Sequence, residues 1–285
     1  MRKTVIVSDS TCDLGGELLQ AHGIRIVPLD VMLGGVTYLD GVEIAPDDIY
    51  RHYAEKGELP HTAAPNMTAF ADVFADCLAD AEGVVCFTIS AEMSSTYNNA
   101  RMAALDLENV HVVDTRNLST GGGLLVLAAA EMAERGMDAA AIAEACRAMT
   151  DAVDASFVVD DLEFLYKGGR CSALAALGAN LLQLKPCITV NGGKMGVAKK
   201  YRGRFGAVLE KYAEDRIGNG EGILTDHVFV THAGCDSAIV ENVVAKVSAL
   251  LPNANVHITR AGCTVSAHCG QNTLGVLFLR KEEAV

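Results

Sequence analysis

The stretch LKPCITVNGGKMGVAKKYRGR, Leu184 to Arg204, decides the character of the chain's second half. It predicts two strands, Pro186 to Val190 and Met195 to Lys200, joined by Asn191-Gly192-Gly193. Asn-Gly suits a tight hairpin because both residues tolerate positive φ. The second strand runs into Lys199, Lys200, Arg202 and Arg204 in a protein of formal net charge −13. A cationic cluster on that acidic background suits a carboxylate, a phosphate or an acidic patch on a partner. A solvated basic hairpin end is the plain structural alternative.

Working outward from the hairpin, the flanking sequence supplies more strands. They are expected at Ser156 to Val159, His227 to Thr231, Asn255 to Thr259 and Leu274 to Leu279. Helices are expected at Leu162 to Tyr166, Ala173 to Leu182, Arg204 to Ile217 and Ser237 to Leu250. Because a hairpin is present, this sheet is mixed. The first half alternates instead. Strands are expected at Thr4 to Val7, Ile24 to Leu29, Val84 to Ile89 and Val110 to Val113. Helices fall between them at Leu14 to Ala21, Met67 to Ala81 (with Gly83 as its stop), Ser94 to Leu105 and Thr120 to Arg135. Another helix is expected from Asp138, as its cap, to Met149, with Asp47 to Glu55 also helical and Val31 to Tyr38 a short hairpin. Val84 to Ile89 is continuously apolar, as in a parallel sheet covered on both faces. The expected fold class is therefore α/β with two domains. Residues 1–152 form a three-layer α/β/α domain with a parallel sheet, and residues 153–285 an α/β domain with a mixed six-stranded sheet.

Apolar residues are 50% of the chain and aromatics only 5%, so the cores are aliphatic and the chain is globular. The acidic balance argues against nucleic acid as a partner. Nine cysteines include no C-x-x-C pair, which disfavours a disulfide framework or a zinc site and suits a cytoplasmic home. Cys86 and Cys187, inside apolar runs, read as core residues. No apolar run is long enough for a signal segment or a membrane span.

Four groups of residues carry candidate chemistry. Ser8 to Asp13 follows a strand and suits a metal or a nucleophile, or simply a turn with a helix cap at Thr11 or Asp13. Thr62, in His61 to Asn66, reads from spacing as part of a helix cap. Ser94, Ser95 and Thr96 gather hydroxyls at a helix N-terminus, where free N–H groups favour an anion; Glu92 opposes this if it points inward. The fourth group is Arg170, the basic hairpin end with Arg202, and His268 in the glycine-bearing loop Ala261 to Asn272. Gly121-Gly122-Gly123 lacks the Lys-Ser/Thr of a phosphate loop and reads as close packing at a helix start. No G-x-S-x-G elbow is present.

Together these segments resemble the DegV family of bacterial fatty-acid-binding proteins. The matching segments are VIVSDSTCDL (residues 5–14), HTAAPN around Thr62, ISAEMSSTYNNA (89–100), VVDTRNLSTGGGLLV (112–126), LEFLYKGGRCS (162–172), the hairpin, and AGCTVSAHCGQNTLGVLFL (261–279). The resemblance implies a long-chain fatty acid bound between two domains, its carboxylate held by the residues matching Thr62 and Ser94. It implies no catalysis, cofactor or metal in this chain. It further implies a separate ATP-dependent fatty acid kinase that phosphorylates the acid for phospholipid synthesis, with at most transient membrane contact. Arg170, Arg202 and His268 then lie near the carboxylate or face the kinase. Two departures stand out. Ser95 replaces the usual Gly, adding a hydroxyl to which the carboxylate contact can shift, and Gly270-Gln271-Asn272 replaces Gly-Pro-Gly beside His268. The fold also resembles the substrate domain of dihydroxyacetone kinase. That keeps open a small-molecule enzyme, kinase-like or hydrolytic, using His268 or the Ser8 to Asp13 loop on a polar substrate.

Overall fold

The computed structural model describes residues 2–171 and 184–281. The expected helix Ala173 to Leu182 lies outside these residues. In the first half, strands β1 (Arg2–Asp9), β2 (Arg25–Val27), β6 (Ala81–Thr88) and β7 (Val110–Asp114) form a parallel sheet in the order β2-β1-β6-β7. Helices α3 (Met67–Asp80) and α4 (Thr96–Ala103) pack on this sheet, as do α5 (Ser119–Glu134) and α6 (Ala139–Met149). Phe70, Phe74 and Cys77 are the buried stripe of α3, at the spacing that puts them on one helical face.

A second, small sheet was not foreseen in full. β3 (Asp30–Leu33) and β4 (Val36–Leu39) make the expected short hairpin, and β5 (His61–Ala63) adds to it, in the order β4-β3-β5. Thr62 pairs with Val31 in this ladder. It is therefore not a helix cap; Asn66 caps α3 by accepting from the Ala69 N–H at 2.9 Å. Nor does Gly83 stop α3. It lies inside β6, where an added Cβ would stand 2.8 Å from Cβ of Ala139, so the glycine lets α6 approach the sheet.

From Val153 onward the chain builds the mixed sheet. Its strands are β8 (Val153–Val159), β9 (Lys185–Asn191), β10 (Lys194–Tyr201), β11 (Ile223–Ala233), β12 (Val256–Arg260) and β13 (Thr273–Arg280). The order is β10-β9-β8-β13-β11-β12, antiparallel except for β11 with β12. Alternation divides each strand between two cores. Val158, Cys187, Val230 and Phe278 face α8 (Phe205–Ile217) and α9 (Ser237–Leu250). Phe157, Ile188, Phe229 and Leu277 join the core around α5, which also holds Ile6, Val85 and Phe87 of the first sheet. Helix α5 thus contacts both large sheets. Its glycines make this possible: a Cβ on Gly123 would stand 2.7 Å from the Cys12 carbonyl oxygen, and one on Gly121 3.1 Å from Cβ of Ala155. Cys86 and Cys187 are buried in their strands.

The hairpin forms where expected, with Val190 opposite Met195 and each strand one residue longer at both ends. Asn191 pairs with Lys194, and the turn is Gly192-Gly193, with φ of 56° and 83°. Its tip is docked on the first half of the chain. The Gly193 carbonyl accepts from Ser90 Oγ at 2.7 Å, and Lys194 pairs with Glu92 at 3.2 Å. A Cβ on Gly193 would stand 2.6 Å from Ser90 Oγ. At the other end Lys199 is paired with Asp215 of α8 at 2.5 Å, while Lys200, Arg202 and Arg204 are exposed. Among the described residues no helix is long and apolar enough to cross a membrane.

Candidate functional site

His268 is not in a loop. It occupies the last turn of α10 (Cys263–Cys269). Nothing in Cys-Thr-Val-Ser-Ala-His-Cys strongly favours a helix, and the helix is held by carboxylates from far away in sequence. Asp40 accepts from the N–H groups of Cys263 at 2.8 Å and Thr264 at 3.1 Å, and from Ser10 Oγ at 3.0 Å. Asp13 accepts from the Gly262 N–H at 2.8 Å and meets Ser119 Oγ at 2.5 Å. These bonds satisfy the donors exposed at a helix N-terminus.

The other end of α10 meets β5. His268 Nε2 lies 2.8 Å from Thr62 Oγ1. His268 Nδ1 is buried with no hydrogen-bond partner among the described residues. The ring is neutral at physiological pH, because burial first, then the charge of Arg170, pushes it down to about 4. A buried N–H without an acceptor costs more than an unused ring lone pair. The network therefore assigns the proton to Nε2, which donates to Thr62 and leaves the Thr62 hydroxyl proton for another acceptor.

Ser94 is placed similarly. It precedes α4, with its Oγ 2.8 Å from Thr96 Oγ1 and accepting from the Thr96 N–H at 3.2 Å. With Thr96 donating, the Ser94 proton is also uncommitted. Ser95 makes no side-chain cap to α4, and its φ of −77° is ordinary for a residue with a Cβ. Glu92 is turned outward against Lys194, so it does not oppose an anion here. Arg170 donates to the Gly168 carbonyl at 2.7 Å.

Thr62, Ser94, Ser95, Arg170 and His268 line one cavity of about 270 Å³. The rest of its wall is mostly apolar, including Leu29, Ile89, Met93 and Met195. Arg202 is exposed just beyond β10 and is not part of this wall. The sequence points to the apolar stretch Ala173 to Leu184 as tunnel lining, which falls almost wholly outside the described residues, and does not single out Leu29, Ile89, Met93 or Met195. The only signal of those four was an isolated Met93 between Glu92 and Ser94 and a Met at the hairpin's start.

The Ser8 to Asp13 segment has other work. Asp9 accepts from the Thr11 hydroxyl at 2.5 Å and from the N–H groups of Thr11 at 2.9 Å and Ile89 at 2.7 Å. Ser10 accepts from the Leu29 N–H at 3.1 Å and donates to Asp40. The void beside Asp9 is about 10 Å³, roughly the room for one water. Burial is the main force on these acids, raising Asp9 to about 6 and Asp13 to about 8. The unfolded chain would titrate Asp13 near 4, so the folded state binds more protons between those values. Stability contributed by the protonated acid is present at low pH and is lost as pH rises from about 4 through about 8. Denaturant melts should therefore show wild type losing about 1–3 kcal/mol relative to Asp13→Asn between mildly acidic and mildly alkaline pH. Parallel curves for the two proteins would contradict a buried, protonated Asp13.

A family model described as "Uncharacterised protein, DegV family" matches residues 3–281. A DegV domain-containing protein of Caldanaerobacter subterraneus subsp. tengcongensis is 30% identical over 284 residues, 99% of this chain and 100% of that protein. A fatty-acid-binding DegV family protein from Thermus thermophilus superposes with a TM-score of 0.87 at 31% identity, covering 98% of this chain and 99% of that one. A stearic-acid-binding protein from Eubacterium ventriosum gives 0.85 at 29% identity, with 99% of both chains covered. With its parallel and mixed sheets in the same arrangement, this chain belongs to the DegV family.

Proposed function

We propose that this protein binds a long-chain fatty acid, with the carboxylate at Thr62 and Ser94 and the alkyl chain in the apolar cavity beneath them. The observation that carries the reading is the pairing of Thr62 with the neutral His268 across one cavity from Ser94. The Thr62 hydroxyl proton remains available where an anion would sit, the Ser94 proton is available when Thr96 donates to Ser94, and Arg170 supplies positive charge. Hydrogen bonds to a charged acceptor are about twice as strong as neutral ones, and each methylene buried adds roughly 0.8 kcal/mol. Solved relatives that bind fatty acids support the same ligand class. Ser95 is a third donor at the same mouth.

The protein acts as a carrier with no catalysis of its own. His268 is too weak a base for proton abstraction near neutral pH when burial holds it at about 4. The hydroxyls of Ser10 and Thr11 are engaged with Asp40 and Asp9. In the finer reading, a separate fatty acid kinase approaches the mouth and phosphorylates the presented carboxylate, feeding phospholipid synthesis in the cytoplasm. Arg202, outside the cavity wall, then belongs to the kinase-facing surface, and the two sheet-bearing halves, 1–152 and 153–285, form the domains that enclose the ligand.

Native mass spectrometry of protein purified from cells, followed by denaturing extraction, tests the ligand class. A bound long-chain fatty acid is expected. Protein that carries none and ignores added fatty acid would sink the proposal. An Arg202→Ala variant should bind the acid normally but lose kinase affinity; unchanged kinase binding would remove Arg202 from that surface.

A further inference from the structure

The cavity under Thr62 and Ser94 is small for its proposed ligand. Its volume of about 270 Å³ falls below the usual range for small-molecule sites, roughly 300–1,000 Å³. A second void of about 30 Å³ lies deeper and shares Leu118, Val265 and Cys269 with the first. Val265 and Cys269 are one turn apart on α10, and Leu118 immediately precedes α5. These three side chains form a collar between the two spaces.

Beyond the collar the wall belongs to the inner face of the mixed sheet: Ala155 and Phe157 of β8, Val190 of β9, Gly275 and Leu277 of β13. Gly275 has no room for a side chain. A Cβ there would stand 2.7 Å from the Ser156 carbonyl oxygen, 3.1 Å from Cδ1 of Leu277 and 3.2 Å from Cβ of Phe157.

The hydroxyls around this inner void all have partners. Ser119 meets Asp13, Ser156 meets Tyr212, Thr231 meets both Thr120 and Thr259, and Thr273 donates to the Cys269 carbonyl. The outer cavity keeps uncommitted donors at Thr62 and Ser94, whereas the inner one offers chiefly methyl and methylene surface. That polarity gradient orients an amphiphile with its head outside the collar and its tail inside.

We infer that the Leu118–Val265–Cys269 collar passes a linear alkyl tail and that Phe157 and Leu277 form the wall met by its terminal methyl. These two side chains then set the longest acid the protein accepts. The inference rests on the carboxylate reading above, and the two fail differently.

The test is a binding series with saturated straight-chain acids of increasing length, against wild type, Leu277→Val, Leu277→Ala and Ala155→Leu. Each methylene that finds buried room is worth roughly fourfold in affinity. The preferred length should rise by about one methylene in Leu277→Val and by more in Leu277→Ala, and fall in Ala155→Leu. Leu277→Val removes a single methylene, so it keeps the test alive if Leu277→Ala does not fold. The same length optimum in wild type and Leu277→Val would overturn the end-wall assignment while leaving the carboxylate reading intact. Wild type that binds no acid of any length would overturn the carboxylate reading, and this inference with it.

Discussion

Thr62→Val and Ser94→Ala should each weaken fatty acid binding by roughly 10- to 100-fold, the value of one hydrogen bond to a charged acceptor. Thr62→Val is the sharper test because it keeps the shape of the side chain. It removes the partner of His268 Nε2, which now lies 2.8 Å away, and leaves both ring nitrogens without partners among the described residues. The double variant should lose more than either single one while keeping the same chain-length preference, since the tail contacts are untouched. Titration calorimetry with one acid reads the first effect and a length series the second. Full affinity in the double variant would remove the carboxylate from this mouth altogether.

Asp40→Ala is expected to have the largest effect on stability. Asp40 is 3% exposed and accepts three hydrogen bonds, two of them from the first N–H groups of α10. Truncation strands those donors in a buried setting, at a cost of about 2–4 kcal/mol. For a chain of this size that corresponds to a fall in Tm of roughly 3–7 °C. Binding should weaken as well, because α10 carries His268 at its other end. A variant with wild-type Tm would show that α10 is held by its packing against α7 (Glu163–Gly168) and α2 (Pro46–Lys56) rather than by its cap.

What was legible in the sequence was what local chemistry determines. The Gly121-Gly122-Gly123 triplet announced a helix start in close contact with its surroundings. Phe70, Phe74 and Cys77 marked one face of α3, and the hairpin at Asn191-Gly192-Gly193 made the second sheet a mixed one. The misreadings share one cause. β5 is three residues long and exists because Val31 offers it a ladder partner, so Thr62 had no local sign of being in a strand. α10 depends on Asp40, 223 residues away from Cys263. Each is a contact across the fold that no window of sequence contains.

The docked hairpin has a mechanical consequence. Its tip is fastened to Ser90 and Glu92, in the same short segment that carries Ser94, and its far end displays Arg202 on the surface. The segment that carries Ser94 is thus tied to the mixed sheet as well as to its own, and any change at the hairpin tip bears directly on the cavity mouth.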